Sequence, residues 1–319
     1  MNSFLKAWDI AWSELEIIAE IGRGAFGVVS SARWRDMKVA VKSVTGNLMD
    51  LGESKTSEME KEIGILQKVR HPNIVLCFGA GTSPDGSAFL VVELVELGTL
   101  TSYLAQNTVE WALKLSFALD TARGMAHVHG LGRMHRDLKS GNLLVSSSLH
   151  IKVADFGSAT LADMAGDSAT VRTSALSTVL ATRDMERART QRTKGVGTPL
   201  WMAPEIIEGK TLYGPSADVY SYGVVMWDIA SQGVPWDHVP DCSFFMDELL
   251  RRILGDERPA MDAAWPAKYC ELMGQCWQTA AGRRPKFAQV VAALEAGIGQ
   301  TSSSGNYVGV TDPKMVSVV

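Results

Sequence analysis

The sequence predicts an α+β protein of two unequal lobes, a small sheet-based one followed by a larger, mainly helical one. Three observations lead there. At 319 residues the chain exceeds what one hydrophobic core usually supports. From Leu15 to Val95, short β-branched runs separated by turn signals prevail. From about Thr99 onward, apolar residues recur at three- and four-residue spacings instead.

In the first lobe, "IIAEIGRGAFGVVSSARW" and "MKVAVKSV" read as strands, and "GTSPDGSAFLVVEL" places a Pro-Asp-Gly turn before another. One helix interrupts them: "SEMEKEIGILQKVRHP" puts Met59, Ile63, Leu66 and Val69 on one face and stops ahead of Pro72. In the second lobe, "WALKLSFALDTARGMAHVHG" aligns Leu115, Leu119, Ala122, Ala126 and His129 and closes at Gly130, a natural C-cap. "ADVYSYGVVMWDIA" is apolar all round and reads as a buried helix, too short and too polar to span a bilayer. The expected division is a lead-in over 1–14, a first lobe over 15–95, a second over 96–298 and a tail over 299–319. Residues 158–195, rich in Ser, Thr and Arg, form a stretch too long for a simple connection. No internal repeat is visible.

Composition narrows the function classes. With 46% hydrophobic and 21% charged residues the chain is an ordinary globular protein, and a net charge of −4 gives no general pull toward nucleic acid or anionic membrane. Asp9, Glu14 and Glu16 interrupt the run that a signal peptide would need, so no secretion signal is expected. Cys77, Cys242, Cys270 and Cys276 form no C-x-x-C pair, which argues against a zinc site or disulfide framework and for reduced, cytoplasmic thiols.

The chemistry begins at "EIGRGAFGVV". Gly22, Gly24 and Gly27 fit G-x-G-x-x-G-x-V, a spacing that lets backbone approach phosphates closely. Alone, it equally suits a ligand-free turn. A dinucleotide fold would need a helix next, whereas β-type residues continue, so the loop reads as a hairpin. "VAVK" follows, and strand alternation puts Ala40 and Lys42 on one face. A lysine in a half-buried strand needs an anion; Glu62, on the inward face of the next helix, needs a cation. The two answer each other, with Glu58 and Glu60 as less well-placed competitors.

"HRDLKSGN" and, ten residues beyond Val145, Asp155-Phe156-Gly157 supply a base, a phosphate-facing cation and two oxygen donors for a hard divalent metal. Asp137 can accept the proton of a substrate hydroxyl. Lys139 can offset charge on a phosphoryl group in transfer, while Asn142 and Asp155 can hold Mg²⁺.

In order, "GRGAFGVV", "VAVK", Glu62, "HRDLKSGN", "DFG", "GTPLWMAPE", "DVYSYGVVMW" and "GRRP" resemble the motifs of a eukaryotic protein kinase catalytic domain, from about Leu15 to Gly297. "HPNIVLCFGA", "DLKSGN", "GTPLWMAPE" and the lead-in "WDIAWSELEI" look like the tyrosine-kinase-like group of serine/threonine kinases, kin of Raf and the mixed-lineage kinases. The resemblance implies the bilobal kinase fold, with an antiparallel β-sheet N-lobe and a helical C-lobe, and implies ATP with Mg²⁺, or Mn²⁺ in its place. It implies that Glu93 and Val95 offer backbone groups to adenine, that Val92 is the gatekeeper, and that Ile21, Val29, Ala40 and Leu144 enclose the base. It further implies a stack of Leu66, Cys77, His135 and Phe156 anchored by Asp218, and a bridge from Glu205 to Arg284.

Lys139, two residues after Asp137, and Thr198 resemble the serine/threonine pattern, so the expected substrates are proteins with Ser/Thr acceptors. The region from Asp155 to Glu205 is longer than is usual in the family. Autophosphorylation is expected there, with Thr190 or Thr193 best placed, and the expected partners are an upstream activating kinase or a second copy in transient self-association for autophosphorylation; Arg136 is the kind of cation that captures such a phosphate. A solvated insert and a segment that folds on binding are the alternatives. Gly141 stands where the group often has Pro, giving the loop extra backbone freedom. A pseudokinase or allosteric binding module is the competing reading; such proteins usually lack a catalytic residue, and here Lys42, Glu62, Asp137, Asn142 and Asp155 are all present.

Overall fold

The computed structural model describes residues 9–24, 27–43, 66, 68–156, 160–161, 171–172, 198–208, 212–237 and 245–301. Five strands build the N-lobe: β1 (Leu15–Gly24), β2 (Gly27–Trp34), β3 (Met37–Ser43), β4 (Cys77–Thr82) and β5 (Ala88–Glu93). They pair antiparallel in the order β1-β2-β3-β5-β4. Arg35 and Asp36, both at positive φ, join β2 to β3 in a two-residue turn whose twist suits the flanking strands. The expected Pro-Asp-Gly turn forms before β5: Gly86 takes φ +83° and its N–H donates to the Ser83 carbonyl at 2.9 Å.

Alternation along β3 sorts its side chains as the sequence predicts. Val39 and Val41 join Ile10, Ala32, Trp34, Phe89 and Val91 in a small core behind the sheet. Ala40 and Lys42 face the other way, toward the C-lobe. The lead-in closes the rear core: the Ile10 N–H donates to the Ala80 carbonyl at 2.9 Å, and Trp12 meets Phe89 edge-on at 5.1 Å. Of the helix expected before Pro72, the structure describes Leu66, which is helical and buried, and residues 68–71, which are not helical and include the buried Val69, so the helix ends earlier than the sequence suggests.

The C-lobe's described helices are α1 (Leu100–Gln106), α2 (Trp111–Gly130), α3 (Pro204–Ile207), α4 (Ser216–Ser231), α5 (Phe245–Leu254), α6 (Ala267–Cys276) and α7 (Phe287–Thr301). Every residue of α4 from Ala217 to Ala230 is buried, which is why its sequence shows no polar face. Packing is close enough around it that a Cβ on Gly223 would sit 2.9 Å from the Trp277 Cβ. α2 lies between α4 and α7 and buries Phe117, Ala118, Ala122, Met125 and Val128, more of its circumference than one stripe. It ends at Gly130 as expected, but the left-handed turn comes two residues later: Leu131 caps the helix and Gly132 takes φ +66°.

Short strands frame the cleft: β6 (Arg133–Met134), β7 (Leu143–Val145) and β8 (Ile151–Val153), with β7 and β8 paired antiparallel. β9 (Thr160–Leu161) pairs with β6, and β10 (Val171–Arg172) with β11 (Leu212–Tyr213). Among the described residues no helix is long and apolar enough to cross a membrane.

Candidate active site

The loop between β6 and β7 carries the candidate base, and α4 holds that loop from beneath. Asp218, in the first turn of α4, accepts the backbone N–H of His135 at 2.9 Å and of Arg136 at 2.8 Å. Its Oδ2 is also 2.8 Å from His129 Nε2, at the end of α2. Burial pushes the Asp218 carboxyl up, but the His129 hydrogen bond and the nearby histidines outweigh it and hold the carboxyl below its ordinary range. Arg136 sits at φ +71°, a conformation that costs a non-glycine residue roughly 1 kcal/mol; the bond from its N–H to Asp218 helps to maintain it.

The Asp137 N–H donates to His135 Nδ1 at 3.3 Å, so His135 Nε2 is the donor to the Ala154 carbonyl at 3.0 Å. The same ring lies 5.0 Å from Phe156, centroid to centroid. Leu66 and Cys77 are buried in one cluster with Phe156, and His135 is fully buried against it.

At Asp137 the two carboxylate oxygens differ. Oδ2 accepts from Lys139 Nζ at 2.8 Å and Asn142 Nδ2 at 2.9 Å; Oδ1 is buried with no partner among the described residues. Asn142 Nδ2 also reaches the Asp137 carbonyl at 2.7 Å, which turns the amide oxygen the other way. Gly141 lies in the 3₁₀ turn Ser140–Asn142, closed by the Asn142 N–H on the Lys139 carbonyl at 2.9 Å. The turn thus restrains the glycine that the sequence suggested would loosen the loop.

Asp155, at φ +62°, presents Oδ1 to Lys42 Nζ at 2.8 Å. Burial raises its pKa, while the charge and hydrogen bond of Lys42, with His135 and Lys139 behind them, bring it below the usual carboxylate value. β3 places Lys42 for this by register, opposite Val29 on β2 and Leu90 on β5. Glu62, its expected partner, lies outside the described residues, as do Gly157, Thr190 and Thr193.

Around the cleft mouth, Ala40 is buried, Val29, Val92 and Leu144 are partly buried, and Ile21 is exposed. A Cβ on Gly22 would meet nothing within 4 Å, and Gly24 pairs with Gly27 at the hairpin end of β1 and β2. Between β5 and α1, Val95 has neither its N–H nor its carbonyl bonded within the described residues. Glu93 is more committed than the sequence suggests: its N–H donates to the Leu76 carbonyl at 2.9 Å, leaving only its carbonyl for a ligand. Its carboxylate accepts the Leu76 N–H at 2.7 Å and pairs with Lys152 at 2.9 Å.

The chemistry of the donor set fits a hard divalent ion: the Asn142 amide oxygen and Asp155 Oδ2 have no protein partner among the described residues, and Mg²⁺ takes few protein oxygens beside phosphate. Glu205 and Arg284 form the expected bridge, with bonds of 2.6 and 2.9 Å. Sequence reasoning missed His129, which bonds Asp218 beneath the loop, and Lys152, which pairs with Glu93. His129 appeared in it only as part of an apolar stripe.

The family model for protein tyrosine and serine/threonine kinases matches residues 15–294. The chain is 35% identical over 297 residues to the probable serine/threonine-protein kinase drkD of Dictyostelium discoideum, covering 92% of this chain and 20% of that one. To the dual specificity protein kinase shkA of the same organism it is 33% identical over 289 residues, 89% of this chain and 50% of the other. To the serine/threonine-protein kinase CTR1 of Arabidopsis thaliana it is 31% identical over 292 residues, 90% and 32% respectively. It therefore spans half or less of the length of these relatives. The chain belongs to the protein tyrosine and serine/threonine kinase family, as a kinase domain.

Proposed function

We propose that the chain transfers the γ-phosphoryl group of ATP to serine and threonine hydroxyls of protein substrates, with Asp137 as the base. The observation that carries this reading is the asymmetry of Asp137: one carboxylate oxygen is fixed by Lys139 and Asn142, and the other is buried and unpartnered. A buried acceptor without a donor is costly unless a ligand completes it, and a substrate hydroxyl supplies the missing donor.

Lys139, already on Asp137, is placed to offset charge on the phosphoryl group in transfer, and its two-residue spacing from the base supports Ser/Thr over Tyr acceptors. Lys42 is placed for the phosphate oxygens. Asn142 and Asp155 would hold Mg²⁺, or Mn²⁺, which neutralises phosphate charge when bound. Ile21, Val29, Ala40, Val92 and Leu144 would enclose adenine, with the Glu93 carbonyl and the Val95 backbone groups bonding its edge. Open space at the Gly22 Cβ position suits phosphates passing close to the backbone.

Glu62 as a second partner of Lys42, phosphorylation at Thr190 or Thr193 by an upstream kinase or by a second copy, and a cytoplasmic location complete the proposal. The test is incubation with Mg²⁺-ATP beside an Asp137→Asn variant, followed by mass spectrometry of chain and added substrate. Phosphoserine or phosphothreonine in the parent and none in the variant is the expected result; efficient transfer to tyrosine alone would overturn the acceptor assignment.

A further inference from the structure

The oxygen donors for a divalent ion belong to one lobe, and the cation that compensates them belongs to the other. Asn142 directly precedes β7 and Asp155 lies two residues past β8, so both stand at the open end of one hairpin. The Ala154 N–H donates to the Asn142 carbonyl at 2.9 Å and fixes the two positions relative to each other. Lys42 arrives from β3 of the N-lobe sheet and bonds Asp155 Oδ1 at 2.8 Å. The ammonium leaves Oδ2 open in space but cancels the charge that would draw a metal to it.

The same balance holds at the neighbouring acid. Asp137 Oδ2 accepts from Lys139 Nζ, also at 2.8 Å, so each of these two carboxylates carries its own ammonium. Both pairs are partly withdrawn from water: side-chain exposure is 21% for either lysine, 15% for Asp137 and 31% for Asp155. At that depth charges are screened less than on the surface, and an added charge is felt more strongly. The Asp155 carboxylate also feels His135 and Lys139. A divalent ion arriving alone would add two positive charges to compensated carboxylates, with one amide oxygen as its other protein donor.

Nucleotide phosphates change both sides of this balance. They bring anionic oxygens for the metal, and they offer the Lys42 ammonium several charged acceptors in place of one carboxylate oxygen. We propose that Lys42 is the resident counterion of the metal site: by holding Asp155 it keeps divalent ions out of the nucleotide-free protein, and it yields that carboxylate when phosphates draw its ammonium away, so that metal and nucleotide enter together. This rests on the kinase reading above and gives Lys42 a part in the order of loading, separate from its part at the phosphates.

The test titrates Mn²⁺, whose free and bound forms are told apart by electron paramagnetic resonance, into the parent, Lys42→Met, Lys42→Arg and the double variant Lys42→Met, Asp155→Asn. Each protein is titrated without nucleotide and then with a non-hydrolysable ATP analogue. Expected without nucleotide is weak uptake by the parent and by Lys42→Arg, which keeps the cation, and a Kd lower by about tenfold in Lys42→Met. Adding Asp155→Asn to Lys42→Met returns the affinity to that of the parent, which locates the ion on that carboxylate. Where Lys42→Met does not fold, Lys42→Gln decides by the same titration. If the analogue raises Mn²⁺ uptake by the parent, three results overturn this inference alone: equal nucleotide-free affinity in parent and Lys42→Met, an equal gain in Lys42→Arg, or a gain that survives the loss of Asp155. A parent that binds neither the analogue nor Mn²⁺ beside it overturns the kinase reading and this inference with it.

Discussion

Lys42 and Asp155 meet across the cleft, ammonium nitrogen to carboxylate oxygen at 2.8 Å, although 113 residues separate them. The contact joins a strand of the N-lobe sheet to the second residue beyond β8, so it reports whether the two halves of the site are assembled.

Asp155 is held below its ordinary value, so the stability it contributes is present above the unfolded carboxylate pKa and is lost as pH falls through the lowered one. Lys42→Met leaves the carboxylate without this ammonium. The variant is expected to be less stable than the parent near neutrality, with the difference narrowing in acid as Asp155 protonates. Urea unfolding at neutral and acid pH checks this, and a gap independent of pH would refute it.

Asp137→Asn retains the contacts of Asn142 and Lys139 in part but loses the basic oxygen. A fall of about 10²- to 10⁴-fold in kcat is expected, the range for removing a general base. Nucleotide affinity, measured by fluorescence titration, should stay within about threefold of the parent.

Gly81 is a close-approach glycine: a Cβ there would lie 2.3 Å from the Ile10 carbonyl oxygen and 2.6 Å from Phe89 Cζ. Gly81→Ala should displace the lead-in from the sheet and cost about 1–3 kcal/mol, as overpacking does. Gly274, inside α6 with open space at its Cβ position, provides the contrast. Gly274→Ala should stabilise by up to about 1 kcal/mol. Denaturant melts of the two variants should move in opposite directions.

Burial on α4 pushes the Asp228 pKa up to about 8, well above an unfolded aspartate. The folded chain therefore holds the extra proton between about pH 4 and pH 8, and stability falls as pH rises across that window. Asp228→Asn removes this dependence. Its stability relative to the parent should increase between about pH 5 and pH 8.5, and parallel curves would show that the acid titrates elsewhere.

The parts of the site written in local order were legible in the sequence. Lys42 on the sheet's inward face followed from strand alternation, and Asp137, Lys139 and Asn142 occupy one short loop, so their meeting needed no tertiary knowledge. The anchoring of that loop was not derivable from local pattern. Asp218 lies 83 residues beyond His135, and its place under the loop entered only through the likeness to kinases. That His129 would join it was not foreseen, since a histidine in a helical stripe looks like any other half-buried residue. At Glu93 the pattern did not say which backbone group stays open: the Leu76 carbonyl takes its N–H, a choice made by loop packing, and the carbonyl is left.

The two bonds from Asp218 to the backbone of His135 and Arg136 also fix when the catalytic loop can come apart. Surface loops ordinarily open by local fluctuation, but these amides are fastened to a helix buried from Ala217 to Ala230. Solvent reaches them only when the C-lobe itself opens. Their hydrogens should exchange with deuterium at the slow rate of the α4 amides, and the loop's lifetime is that of the lobe rather than that of a turn.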